Sequence, residues 1–599
     1  RRIRPRPHPG VPVTSNTPHG IGFTAHRPVV MGRNGMVCAG HPLAAQAGVS
    51  ILQKGGNAFD AAIATAAALG VVEPLMSGIG GDGFIMTYRA QDPITGHDSL
   101  RVCNGTGAAP YAATLERYRE GIPMKGILSV SVPGLLNAWL DTHEAYGSLP
   151  LSEVLAPAIA LADDGFPVTH YLAGAIAGDA LLCEFPTSRA IFTRSDTGAP
   201  LQPGDILRQN DLARTLTTIA QQGRDAFYRG SIGEAIVRFS EEQGGLLTMA
   251  DLNDCSARWQ DPISTDYGDY TVYEAPPNSS GHILLQELNI IRQYDMAAFG
   301  FGSPESIHLM VEAKKMAFAD REAYVADPDY IDVPIAGMLS EEYARERAGI
   351  IDRHVASARM EAGDPWRFQP ERHAATPAGA GRRGPRSEEE DTTCFVVADR
   401  AGNAVCLLQS IQSGWGSSLV AGNTGILLNN RMTYWHLESD HVDCLQPGKR
   451  VRHTMNPVMV FRRGTSAANG SSNGTGGRRL TYVLGTPGAD CQVQSNMQVI
   501  TNLVDYGMTV QEAVEAPRWK HVGDGTESTV PHTAEDRLLM ESRFDAAAIR
   551  QLRGMGHPVH ELGAWDGVTG REMALYIDPD TGALHGAADP RYDGYAVGY

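Results

Sequence analysis

Apolar positions along this chain follow two different periods. Residues 35–40 read as a strand. Residues 41–54 then show helical apolar spacing that stops at Gly55-Gly56, where glycine ends a helix without steric cost. Asn57 is placed to cap a second, Ala-rich helix running to Leu69. The run Gly78-Ile79-Gly80-Gly81-Asp82-Gly83 breaks the pattern, and residues 84–88 resume as an apolar strand. A phosphate-binding glycine loop follows a strand and opens a helix. This one follows a helix and opens a strand, so it reads as a tight turn with close backbone packing. Residues 135–330 are mostly helical in pattern, with 305–324 the longest run.

From Thr392 onward the period shortens to that of strands. Residues 392–398 and 404–411 flank a turn at 399–403 and predict a hairpin. Residues 425–428 and 481–484 predict further strands, and 492–506 a helix after the turn at 485–490. Between the two regimes, residues 373–390 (HAATPAGAGRRGPRSEEE) have no periodicity and read as an exposed linker. Residues 464–479 are rich in Gly, Ser and Asn and read as a long flexible loop. The expected organisation is an extended arm over 1–34, a largely helical large part over 35–391, and a sheet-rich small part over 392–599.

Composition narrows the function classes. Hydrophobic residues make up 42% of the 599, enough for a large core. The net charge of −18 argues against nucleic acid or an anionic membrane as main partner. No apolar stretch reaches the roughly 18 residues of a membrane helix. The basic, Pro-rich start RRIRPRPHPG has no apolar run behind it and is not an intact secretory signal. The compartment is left open, with the cytoplasm preferred to a periplasmic or secreted location. The eight cysteines are scattered without CxxC or nearby histidine at ligand spacing. They read as free, buried thiols, and no metal site or other cofactor is expected.

A threonine hydroxyl is a weak nucleophile until something takes its proton. A threonine made N-terminal by chain cleavage carries its own base, the free α-amine. The boundary Asp391-Thr392, where a linker enters a strand, is a suitable place for such a cut. By composition alone Thr392-Thr393 would be an ordinary strand start.

Several ordered motifs decide between those readings. DTTCFVVADRAGNAV, SIQSGWGSS, TGILLNNRM, PGKRVRHTMNP and GTPGAD resemble the small subunit of γ-glutamyltranspeptidases. HPLAAQAG, ILQKGGNAFDAA, GVVEPLMSGIGGDGF, SVPG and GFPV resemble their large subunit, and ADPRYDGYAVGY their C-terminus. The resemblance runs from about Gly35 to Tyr599. It implies an N-terminal-nucleophile (Ntn) hydrolase, an αββα sandwich cut by itself between Asp391 and Thr392 into two subunits. It makes Thr392 the nucleophile and Thr393 a support for the α-amine. Ser410 steadies the nucleophile, and Gly488 and Ala489 offer backbone N–H groups to the oxyanion. Gln412 contacts the substrate. The heterodimers could assemble further into homo-oligomers.

The departures from the family pattern bear on substrate. γ-Glutamyl enzymes clamp the substrate α-carboxylate with an arginine that has no counterpart in Asn104-Gly105-Thr106-Gly107. Tyr434 stands in place of an aspartate that holds the α-amine, and His453 and Thr454 replace two serines. Arg431 and His453, with Arg450 or Arg452 nearby in sequence, offer a different anion site. The pattern resembles the cephalosporin acylase and oxamate amidohydrolase branch. It predicts a small-molecule amide whose acyl group carries one acid and no amine, such as glutaryl or oxalyl. Only residues 435–446 separate Tyr434 from Pro447, which leaves little room for a lid and favours hydrolysis over transfer. The rival expectations are a γ-glutamyltransferase or glutathione hydrolase with a rearranged clamp, and an uncleaved, inactive scaffold.

Overall fold

The computed structural model describes residues 25–92, 95–369, 391–464, 478–523 and 525–599. The linker expected at 373–390, most of the arm before Ala25 and most of the loop at 464–479 lie outside the described residues.

The first predicted helix is Pro42–Gln53 (α1), with the His41 ring accepting the Leu43 N–H as its cap. Gly55 follows at φ +97°, a conformation that glycine takes without strain. Ala58–Val72 (α2) extends three residues past the expected Leu69. Its start is a capping box: the Asn57 side chain accepts from Asp60 N–H while the Asp60 carboxylate accepts from Asn57 N–H. Both helices are buried because they are Ala-rich, and small side chains let them approach closely.

Among the described residues, fourteen strands form two seven-stranded sheets. In chain order they are Val30–Gly32 (β1), Gly35–Ala39 (β2), Asp82–Arg89 (β3), Ser99–Gly105 (β4), Arg258–Gln260 (β5), Ile263–Tyr267 (β6) and Tyr270–Glu274 (β7). They continue with Thr393–Asp399 (β8), Ala404–Ser410 (β9), Val458–Arg462 (β10), Arg479–Gly485 (β11), Met573–Ile577 (β12), Leu584–Ala588 (β13) and Tyr595–Gly598 (β14). One sheet runs β14-β2-β8-β9-β3-β4-β5 and the other β1-β13-β12-β11-β10-β7-β6. Every strand pair in both is antiparallel. The expected hairpin is β8–β9, with Thr393 opposite Gln409 and Ala398 opposite Ala404.

The sheets pack face to face. A Cβ on Gly485 in β11 would lie 2.7 Å from Cys394 Sγ in β8, so glycine is what lets them close here. Cys406 Sγ donates to Leu484 O across the same gap at 3.2 Å. Even-numbered residues of β8 and β9 therefore face the second sheet. Odd-numbered ones face the helices: Gln409 Nε2 donates to Ala66 O of α2. Helices α1, α2 and Leu135–Tyr146 pack on the first sheet; Gly281–Ile291, Cys491–Val504 and Val510–Glu515 pack on the second.

Two expectations need correction. Residues 425–428 are not a strand; they contribute one isolated bridge, Val420 to Leu427, within a buried loop. The backbone is diverted because Ser417 N–H donates to Leu428 O and Leu428 N–H to Leu419 O, closing a compact turn. The region 135–330 is also less uniformly helical than expected, since β5, β6 and β7 lie within it, β5 and β6 at sheet edges and β7 beside β6. All eight cysteines are free, six of them buried. No helix among the described residues is long and apolar enough to cross a membrane.

Candidate active site

Thr392 precedes β8 by one residue and is 2% exposed. By strand alternation its side chain shares the inter-sheet face with Cys394. The Asp391–Thr392 peptide is intact, and its carbonyl oxygen meets two hydroxyls. Thr392 Oγ donates to Asp391 O at 2.9 Å, and Ser410 Oγ donates to the same oxygen at 3.0 Å. The two hydroxyl oxygens are 3.2 Å apart. Ser410 Oγ in turn accepts the Gln412 N–H at 2.8 Å, which fixes its direction. Asp391 N–H donates to Gln412 O, so the scissile residue is tied on both sides. Gln412 holds this place at φ +89°, and its Nε2 donates to Thr529 Oγ.

Gly488 and Ala489 follow β11 at φ +120° and +46°. A turn of this kind can present backbone N–H groups to an anion. Gly488 lines a cavity of about 500 Å³ together with Asp391, Tyr171, Trp415 and Arg571.

Thr393 faces the other way from Thr392. Its hydroxyl donates to Glu73 Oε2 at 2.9 Å, just beyond the end of α2. Burial pushes the Glu73 carboxyl up to about 8, with the Thr393 hydrogen bond and the Arg571 charge opposing it. The sequence reading passed over Glu73, although a carboxylate in the middle of GVVEPLMSG is a signal that could have found it.

The expected substrate residues gather on the β3 side of the nucleophile. Asp82 is the cross-strand partner of Ser410. Its carboxylate accepts from Gly107 N–H at 2.8 Å and from Arg431 Nε at 3.2 Å. Burial lifts Asp82 to about 6 against the pull of Arg431. Arg431 is 1% exposed, and its Nη2 has no hydrogen-bond partner. His453 lies 4.0 Å from Asp82 with both ring nitrogens unpartnered. Burial, then the charges of Arg431 and Arg450, hold that ring well below the usual histidine range, so it is neutral. Tyr434 stacks under the Arg431 guanidinium at 4.7 Å, and its hydroxyl meets Thr454 Oγ at 3.2 Å. The other two arginines are engaged elsewhere. Arg450 donates to Thr106 O and Ser256 O, and Arg452 grips Glu322 through both carboxylate oxygens.

Among the described residues, two groups of side chains have the spacing for a metal: His308, Glu312 and His557, and Glu322, His436 and His441. Their donors are largely committed. His308 bonds Asp352 O and His557, while Lys315 pairs with Glu312. Glu322 already bonds Arg452 and Arg321, and His441 Nδ1 accepts the Asp443 N–H. The second group lines a separate cavity that shares no residue with the one at Asp391.

The chain is 37% identical to the glutathione hydrolase-like YwrD proenzyme of Bacillus subtilis, over 95% of this chain and 99% of that one. It is also 37% identical to the acylase ACY 1 proenzyme of Pseudomonas sp. strain SE83, over 97% and 96%. Cephalosporin acylase from Bacillus halodurans superposes with a TM-score of 0.81 at 32% identity, over 98% and 99%. Residues 44–599 match the family model for gamma-glutamyltranspeptidase. With that match over nearly the whole length, the chain belongs to the γ-glutamyltranspeptidase family and is a hydrolase proenzyme of the Ntn type.

Proposed function

We propose that this proenzyme cuts itself between Asp391 and Thr392 and then hydrolyses amides through an acyl-Thr392 intermediate. The observation that carries the reading is the pair of hydroxyls on the Asp391 carbonyl oxygen. Thr392 Oγ adds to the Asp391 carbonyl carbon, and Ser410 holds the oxygen as it gains charge. The C–N bond breaks and the hydroxyl proton ends on the released nitrogen. Water then cleaves the ester, leaving an Asp391 carboxylate and a free Thr392 α-amine. The mature fold is then a four-layer αββα sandwich built from residues 1–391 and 392–599.

In the mature site the α-amine takes the Thr392 proton and Oγ attacks the substrate carbonyl. The N–H groups of Gly488 and Ala489 hold the oxyanion, each such donor being worth about 3–4 kcal/mol. The leaving amine departs with a proton, and water releases the acid. Thr393, held by Glu73, fixes the strand end that carries the α-amine. Gln412 and Tyr434 wall the substrate, with Thr454 behind Tyr434.

A carboxylate-bearing acyl group is the substrate class supported best. Arg431 brings an unpartnered, buried Nη2 to the β3 side of Thr392, beside a neutral His453. A carboxylate there gains a charge-assisted partner. An additional ammonium, as in a γ-glutamyl group, would find the nearby acid, Asp82, already paired with Arg431.

Intact mass and a denaturing gel test the first step: two chains, 1–391 and 392–599, are expected. Thr392→Ala is expected to stay as one chain of 64.3 kDa and to lose activity by a factor of about 10³ or more. A Thr392→Ala protein that still splits overturns the assignment. Glutaryl anilide against γ-glutamyl anilide tests the second step, and faster turnover of the γ-glutamyl compound overturns the acyl class.

A further inference from the structure

Arg571 stands on the opposite side of the nucleophile from Arg431. Its Nη1 donates to Asp391 Oδ1 at 3.0 Å, with both side chains only 13–14% exposed. Its Nε is buried without a partner. The guanidinium lies over the rings of Tyr171 and Tyr592, 5.1 and 5.3 Å from their centroids. Two cation–π contacts help hold it in place. Tyr592 comes just before β14, which pairs with β2, and Glu73 packs on Gly40 at the end of β2. Arg571 thus belongs to the β2 side of Thr392, whereas Arg431 is held by Asp82 on the β3 side.

Cleavage before Thr392 turns Asp391 into a chain end, no longer held beside the nucleophile by a peptide bond. The carboxylate paired with Arg571 is then free to leave. Leaving an arginine unpaired where water is scarce is costly. Glu73 is a poor replacement, because burial favours its neutral form. Arg571 also lines the cavity of about 500 Å³ that reaches Gly488. A substrate carbonyl at the Gly488 N–H therefore has Arg571 within the same cavity.

We infer that Asp391 occupies, in the precursor, a carboxylate site that Arg571 offers to substrate in the processed enzyme. This rests on the proposed acyl-Thr392 reaction. An amide extends in two directions from its carbonyl. With the acyl acid at Arg431, the opposite side receives the amine half. The substrate class is an amide whose amine half carries its own carboxylate, as in an N-acyl amino acid. Arg571 selects that half and takes no part in bond making.

The test compares glutaryl-3-aminobenzoate with its neutral counterpart glutaryl-3-aminobenzamide on processed enzyme. Wild type is expected to prefer the carboxylate by about tenfold or more in kcat/KM, a charge-assisted hydrogen bond's worth. Arg571→Gln is expected to bring the ratio to about one, and Arg571→Lys to keep part of it. A ratio near one in wild type, or a preference that survives in Arg571→Gln, overturns the inference. Calorimetry on processed wild type and on Arg571→Gln gives a second arm that needs no turnover. The α-amide of N-acetyl-aspartate is expected to bind wild type about tenfold more tightly than N-acetyl-asparagine amide, and Arg571→Gln about equally. Equal binding in wild type, or a preference that survives in Arg571→Gln, overturns the inference. Absence of turnover for both anilide-type substrates overturns the hydrolase reading instead, and the calorimetric arm still decides for Arg571.

Discussion

At the scale of single residues, Ser410 has the most constrained role after Thr392. Its oxygen accepts the Gln412 N–H, so its proton is directed to the Asp391 carbonyl. A hydrogen bond to a group gaining charge contributes about 1.5–3 kcal/mol. Ser410→Ala is therefore expected to slow self-cleavage by about 10- to 100-fold, followed as loss of the precursor band over time. Ser410→Thr keeps the hydroxyl and is expected to restore most of the rate. The positions of Thr392, Ser410 and Gln412 were legible because each lies inside a long motif. Arg571 and Asp82 were not, since each takes its meaning from a partner far away in sequence: Asp391 for one, Arg431 for the other.

At the scale of elements, two local devices hold the site's scaffold. The capping box of α2 sets where that helix begins and so where Glu73 ends it. Asn57→Ala removes the side-chain acceptor for Phe59 and Asp60 N–H and is expected to cost about 1 kcal/mol, read from denaturant unfolding. The second device joins β3 to the turn Arg431–Tyr434 through the buried Asp82–Arg431 pair. Asp82→Ala leaves the guanidinium buried without its acid and is expected to cost about 3–5 kcal/mol. A melting temperature equal to wild type would show that the pair is dispensable. The helix and hairpin boundaries came out of the local pattern to within a few residues. The strands β5 to β7 did not, because short strands among helices carry half-buried patterns that neighbouring helical periodicity masks.

At the scale of the whole molecule, burial of acids makes stability depend on pH. Glu73 and Glu572 are both lifted by burial to about 8, above the usual glutamate value near 4.3. The native state therefore holds protons that the unfolded chain releases between these values. Stability from each group is full below the unfolded value and is lost as pH rises toward about 8. Between pH 7 and 8 the buried histidines His282, His521 and His557, lowered to about 3, are mostly neutral in both states. Glu274 and Glu287, raised well above the usual value by burial, act in the same direction, while Lys314, lowered by burial to about 8, acts against them; each raised glutamate costs up to about 1.4 kcal/mol per pH unit. The midpoint of unfolding is expected to fall from pH 7 to 8, and Glu73→Gln to shrink the fall. An unchanged slope in Glu73→Gln would remove Glu73 from this account.

Local order along the chain determined the helix caps, the β8–β9 hairpin, the family and the place of Thr392. Each depends on residues within one turn, one hairpin or one motif. Tertiary structure alone decided which hydroxyls share the Asp391 oxygen, that Thr393 turns to Glu73 and not to Thr392, and that two arginines flank the nucleophile from opposite sides. Those facts arise where a strand end meets a neighbouring strand, a helix end or a turn, and contacts of that kind leave no periodicity in the sequence to read.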